Sequence, residues 1–192
     1  MSKNKTFTIP QQSLYKALSI CSKALSDNKI MPGYEMFLLD IQSDNIEIAA
    51  CDGHMIIKTY AQCQSDFAMK LCVPGRKLLD YIAKTANETL LFQLDIITVS
   101  EKREWKEHPV SLEQYEDVTP EQISYSLLVK HNDNKAKFPC DLGDDFPVIS
   151  NTDAQEFKLP AEDFLEMLYK TMFAISDDEL RPSTTGLNVR IE

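Results

Sequence analysis

The sequence predicts an α+β protein built from paired β-α-β-β-β units, with helices on one face of antiparallel sheets. Three observations carry this reading. A short unit of strand, proline and amphipathic helix occurs three times. The segments between the helices alternate as antiparallel strands do, and the first two helical copies are basic within an acidic chain.

The first copy is Phe7-Thr8-Ile9, then Pro10, then Leu14, Leu18, Cys21 and Leu25 at helical spacing. The second is Met69 to Val73, Pro74, then Leu78, Leu79, Ile82 and Ala83, and the third Phe157 to Leu159, Pro160, then Phe164, Leu165, Leu168 and Met172. Proline suits the junction, because it ends a strand and its missing N–H has no partner in a first helical turn anyway. Helices are expected from about Gln11 to Leu25, Arg76 to Thr85 and Ala161 to Ile175. After the first helix, Glu35 to Ile41, Ile46 to Ala50 and Met55 to Tyr60 read as strands, with turns at Ser43-Asp44-Asn45 and Asp52-Gly53-His54. After the second, Thr89 to Val99, Ile123 to Lys130 and Lys135 to Cys140 read the same way, and the third helix is followed by a strand over Gly186 to Ile191.

Pro10 and Pro74 are 64 residues apart, and Pro74 and Pro160 are 86 apart. The excess equals the 22 residues from Glu101 to Gln122, which hold seven acids against Lys102, Arg103 and Lys106. That segment reads as an acidic insertion in a hairpin connection, with Trp105 expected to anchor it on the sheet in preference to meeting a partner. Residues 1–147 are expected to form one complete domain, and 148–192 the first part of a second.

Composition narrows the function. With 43% hydrophobic and 26% charged residues in 192, the chain is globular and long enough to bury a core without staples. No run nears the roughly 20 apolar residues of a membrane span, and the five scattered cysteines read as reduced, buried thiols, so the protein is expected in the cytoplasm. Cys51-Asp52-Gly53-His54 is the most enzyme-like cluster, but Asp-Gly is a turn pair and neighbouring strand residues face opposite ways. No phosphate-cradling glycine loop and no metal-ligand spacing is present. Neither catalysis, a cofactor nor a metal is expected.

Charge is partitioned. The net charge is −10, yet Gln11 to Lys29 (Lys16, Lys23 and Lys29 against Asp27) and Pro74 to Ala86 (Arg76, Lys77 and Lys84 against Asp80) each carry +2, which leaves −14 on the rest. Lys16 and Lys23, like Lys77 and Lys84, are seven apart and share a helix face. A basic face on acidic surroundings suits a surface turned toward phosphate.

Val73-Pro74-Gly75-Arg76-Lys77, Asp145-Phe146-Pro147 and Asp178-Glu179-Leu180-Arg181-Pro182-Ser183-Thr184-Thr185-Gly186 stand in that order on the repeat. In this the chain resembles the bacterial sliding clamp, the beta subunit of DNA polymerase III, over its first domain and about half of its second. The Asp-Asp-Glu-Leu-Arg-Pro stretch is most like Bacteroides-type clamps. The resemblance implies the DNA clamp fold and a non-enzymatic homodimeric ring around double-stranded DNA. It also implies weak, sequence-independent contact by this chain alone, self-association, and polymerase III and the clamp loader as partners. It places DNA-contacting positions on Arg76, with Lys77 beside it, on Lys16 and on Arg181. One family arginine appears here as Asn28, with Lys29 next to it. The acidic third helix (Glu162, Asp163 and Glu166 against Lys170) departs from a DNA-lining pattern. The other reading is a short clamp-fold paralogue that binds replication proteins rather than DNA.

Overall fold

The computed structural model describes residues 5–26, 31–86, 88–99, 102–107, 114–119, 122–132, 134–147, 157–178 and 180–190. It divides into two compact units, Met1–Ser150 and Asn151–Glu192.

The first unit contains strands β1 (Lys5–Pro10), β2 (Met36–Ile41), β3 (Asn45–Cys51), β4 (Ile56–Gln62), β5 (Gln64–Ser65), β6 (Met69–Pro74), β7 (Thr89–Val99), β8 (Lys102–Glu107), β9 (Gln114–Thr119), β10 (Gln122–His131) and β11 (Asn134–Leu142). Helix α1 (Gln11–Cys21) follows β1 and continues as a 3-10 turn, Ser22–Ala24, while α2 (Gly75–Lys84) follows β6. Pro10 and Pro74 occupy the N-cap positions, so each strand passes straight into its helix.

Nine strands form an antiparallel sheet in the order β4-β3-β2-β6-β11-β10-β7-β1-β5 among the described residues. The two repeats exchange their first strands. β1 of the first repeat pairs with β7 of the second, and β6 of the second pairs with β2 of the first. The strands of the two repeats are therefore joined in one nine-stranded order. Only two residue pairs join β6 to β11 (Leu71↔Leu142 and Cys72↔Asp141), and two join β1 to β5 (Phe7↔Ser65 and Thr8↔Gln64). Phe7 and Leu71 are separated by the same 64 residues as the two prolines, so the two junctions are copies of one another.

Alternation along the strands turns Phe7, Ile9, Phe37, Leu39, Ile48, Leu71, Val73, Leu90 and Phe92 inward, where all are buried. Helix residues Leu14, Leu18, Leu78 and Ile82 pack on the same core, so both helices cover one face of the sheet. Phe7 stacks on Phe92 with ring centroids 4.5 Å apart. On the opposite face, a second small cluster gathers Ala49, Cys51, Cys72 and Phe146, packed against Tyr34, Met36 and Leu38. The Asp-Phe-Pro motif thus folds back on the sheet, with Phe146 as its plug.

The acidic segment forms a hairpin of its own. β8 and β9 pair from Lys102↔Thr119 to Glu107↔Gln114 in a separate two-stranded sheet, directly beyond the last β7–β10 pair, Val99↔Gln122. The anchoring expected of Trp105 lies outside the described side chains.

The second unit contains α3 (Ala161–Thr171), again entered from a proline N-cap, and 3-10 turns at Met172–Ala174 and Pro182–Thr184. The strands expected at Phe157–Leu159 and from Gly186 are absent among the described residues. A strand is held by a ladder, and among the described residues no segment of this unit offers one. Phe164 and Met172 are exposed and Leu168 is half-buried.

Candidate nucleic-acid interface

The expected cations of the first unit lie on two adjoining helices. Gln11 Nε2, at the start of α1, donates to the Ile82 carbonyl near the end of α2 at 2.8 Å. At the other end, Gly75 opens α2 against Leu25, whose Cδ1 lies 2.6 Å from where a β-carbon would stand. The helices are therefore antiparallel, which sets the Lys23 end of α1 beside the Arg76–Lys77 end of α2. The start of α1 lies beside Lys84.

Each helix buries one stripe and exposes the other. In α1, Leu14, Ala17, Leu18 and Cys21 are buried while Gln12, Ser13, Lys16 and Ile20 are exposed, followed by exposed Lys23. In α2, Gly75, Leu78 and Ile82 are buried while Arg76, Lys77, Asp80 and Lys84 are exposed. Helix α1 contains no acidic residue and α2 only Asp80.

Lysines on the sheet are treated differently. Lys58 meets Glu47 at 3.1 Å, Lys70 meets Asp40 at 3.4 Å, Lys137 meets Asp95 at 3.7 Å, and Lys130 donates to Gln93 at 2.7 Å. Among the described residues, Lys16, Lys23, Lys77 and Lys84 make no ion pair. Lys58, Lys70 and Lys137 on the sheet are each neutralised by a neighbouring acid, and these four helix lysines are left to solvent. Burial and the hydrogen bonds of Tyr60 and Lys58 act against one another on Glu47, and the bonds win, holding its carboxyl below the usual range.

Arg181 belongs to the second unit. It is exposed, and its Nε lies 3.9 Å from Asp178 Oδ2. Lys29 lies outside the described residues. Sequence reasoning identified the cations but missed Gln11 and the role of Gly75, which set the distance between the helices. A polar residue on the buried stripe of α1, at the first position after the proline, was the available signal for Gln11.

Paired β-α-β-β-β units with two adjoining helices on one side of a continuous antiparallel sheet define a DNA clamp. A family model described as the DNA polymerase III beta subunit, N-terminal domain, matches residues 5–119, and the chain belongs to that family. Among solved structures, the beta sliding clamp of Caulobacter crescentus superposes with a TM-score of 0.73 at 18% identity, over 94% of this chain and 42% of that one. The sliding clamp of Pseudomonas aeruginosa bound to griselimycin gives 0.70 at 18% identity over 93% and 42%, and that of Bacillus subtilis gives 0.70 at 13% over 94% and 43%. At these identities the likeness is one of fold, and the chain spans less than half the length of these clamps. No curated protein matches the chain. Among the described residues, no helix is long and apolar enough to cross a membrane.

Proposed function

We propose that this chain serves as a sliding-clamp subunit, a non-catalytic processivity factor that holds the replicative polymerase on duplex DNA in the cytoplasm. The observation that carries the reading is the contrast between paired lysines on the sheet and unpaired lysines on α1 and α2, in a family whose fold is a DNA clamp. Lys16, Lys23, Arg76, Lys77 and Lys84 would face the phosphates, with Lys29 and Arg181 as further contacts. Phosphate contacts fix position without reading sequence, which is what sliding requires. Family membership supports self-association, and polymerase III and the clamp loader as partners.

The test is fluorescence anisotropy of labelled duplexes of unrelated sequence, titrated with the chain across a salt series. Binding is expected at the weak end of the non-specific range, about 10⁻⁴ M, alike for all sequences and falling steeply with salt. Arg76→Glu, and separately Lys16→Glu, should weaken it and reduce the salt slope by roughly one unit per lost contact. Preference for one sequence, or affinity indifferent to both substitutions, would refute the interface.

A further inference from the structure

We infer that the second unit is a pairing surface for a second copy of this chain, each copy laddering its residues 157–159 against residues 186–190 of the other. This names a surface for the self-association that family membership supports, and it does not draw on the DNA-facing helices.

The internal repeat supplies the register. In the first unit, the main ladder of the strand before each proline runs to the other repeat, β1 to β7 and β6 to β2. The second unit holds one copy of the repeat. Pro160 precedes Gly186 by the same 26 residues that separate Pro10 from Met36, the first residue of β2. The β2–β6 pairing therefore carries over residue by residue. Phe37↔Val73 becomes Leu187 opposite Leu159, and Leu39↔Leu71 becomes Val189 opposite Phe157, apolar against apolar each time. Asp40 and Lys70, which meet at 3.4 Å, become Arg190 and Glu156, a base and an acid with the signs exchanged.

Both segments belong to every copy, so pairing one set creates the other through a two-fold axis, and the contact is complete with two chains. Helix α3 then meets its copy as α1 meets α2. The apolar residues this would cover are open. Phe157, Leu159 and Val189 are 52, 47 and 58% exposed, whereas Phe37, Leu39, Leu71 and Val73 are at most 1% exposed. Phe164 stands at the position of Leu14 and Leu78, and is 37% exposed where they are at most 2%. Apolar surface left open across a whole repeat marks a place of association. A partner of unrelated sequence would have to match both the apolar register and the exchanged charges, which a second copy does by its own sequence.

Sedimentation velocity of the whole chain across a concentration series tests the pairing. The mass should rise from 21.9 kDa to twice that value and no further. Leu159→Asp places a carboxylate opposite Leu187 at both junctions of the dimer and should weaken it roughly a hundredfold. Arg190→Glu sets two acids opposite each other and should weaken it about fivefold, and Glu156→Arg/Arg190→Glu should restore it. Far-ultraviolet circular dichroism, which the nine-stranded sheet of the first unit dominates, should be alike in all variants. A chain that stays at 21.9 kDa, a ladder of larger oligomers, a dimer indifferent to Leu159→Asp, or a charge exchange that restores nothing would each overturn the inference. None of these results bears on the anisotropy test, so the DNA reading stands or falls separately.

Discussion

Asp52 Oδ1 accepts the backbone N–H groups of His54 and Met55, both at 2.8 Å, and so fixes the turn between β3 and β4. Those bonds, Met55's first, hold its carboxyl below the ordinary aspartate range. A depressed folded-state pKa contributes stability above the unfolded value and loses it as pH falls through the folded one. Asp52→Ala should therefore cost about 1 kcal/mol or less at neutral pH, since the group is exposed. In urea titrations the difference between variant and parent should narrow as pH falls below the ordinary aspartate value of about 3.9. Next to it, Gly53 holds φ at +93°, as the Asp-Gly turn reading of the Cys51–His54 cluster requires. Cys140 gives a second residue-scale prediction, because burial pushes its thiol up to about 12. All five cysteines are buried, so a thiol reagent at mildly alkaline pH should label them only after denaturant is added.

The helices show what an element owes to its neighbours. Periodicity and the prolines located α1, α2 and α3 to within a residue at their starts, because an apolar stripe and a fixed φ are local properties. The contacts that join α1 to α2 are not local, and Gln11 and Gly75 look unremarkable in a linear reading. A β-carbon on Gly75 would stand 2.6 Å from Leu25 Cδ1 and 3.0 Å from the Glu35 carbonyl oxygen. The leucine tip can swing away, but the carbonyl cannot. Overpacking of about 1–3 kcal/mol should thus outweigh the helix propensity gain of about 1 kcal/mol, and Gly75→Ala should lower the midpoint of thermal unfolding. Gln11→Ala would remove one of three donors to the Ile82 carbonyl, which keeps Thr85 Oγ1 at 2.7 Å and Thr85 N at 3.3 Å, and should cost about 1 kcal/mol or less by the same measurement. Phe146 belongs to this scale as well. Its motif was legible as a family signature, but its burial in the outer cluster was not, since nothing nearby in sequence announces where a linker phenylalanine lands. Phe146→Ala should cost about 3 kcal/mol in urea unfolding of the first unit.

At the scale of the whole molecule, the repeat period was legible from Pro10 and Pro74, and with it the number of strands per unit. The partner of each strand was not, because alternation says which side of a strand is apolar and nothing about what lies at its edge. The same gap explains the strands expected at Phe157 and Gly186, whose side-chain pattern is right and whose ladder is missing. In the first unit, the exchange of β1 and β6 has a consequence for how the chain is made. β1 leaves the ribosome well before β7, yet its main ladder runs from Lys5↔Leu94 to Pro10↔Thr89, so its partner is synthesised more than seventy residues later. Until then β1 has only its two-residue ladder with β5, and Phe7 and Ile9 lack their partners Phe92 and Leu90. The first repeat cannot be a stable folding intermediate by itself, and the late, long-range closure that completes it is the kind of step that slows folding. Separately expressed halves, cut between Ser65 and Met69, should each be unfolded by circular dichroism and should fold on mixing. An independently folded N-terminal half would show that the exchanged strands are ornament rather than lock.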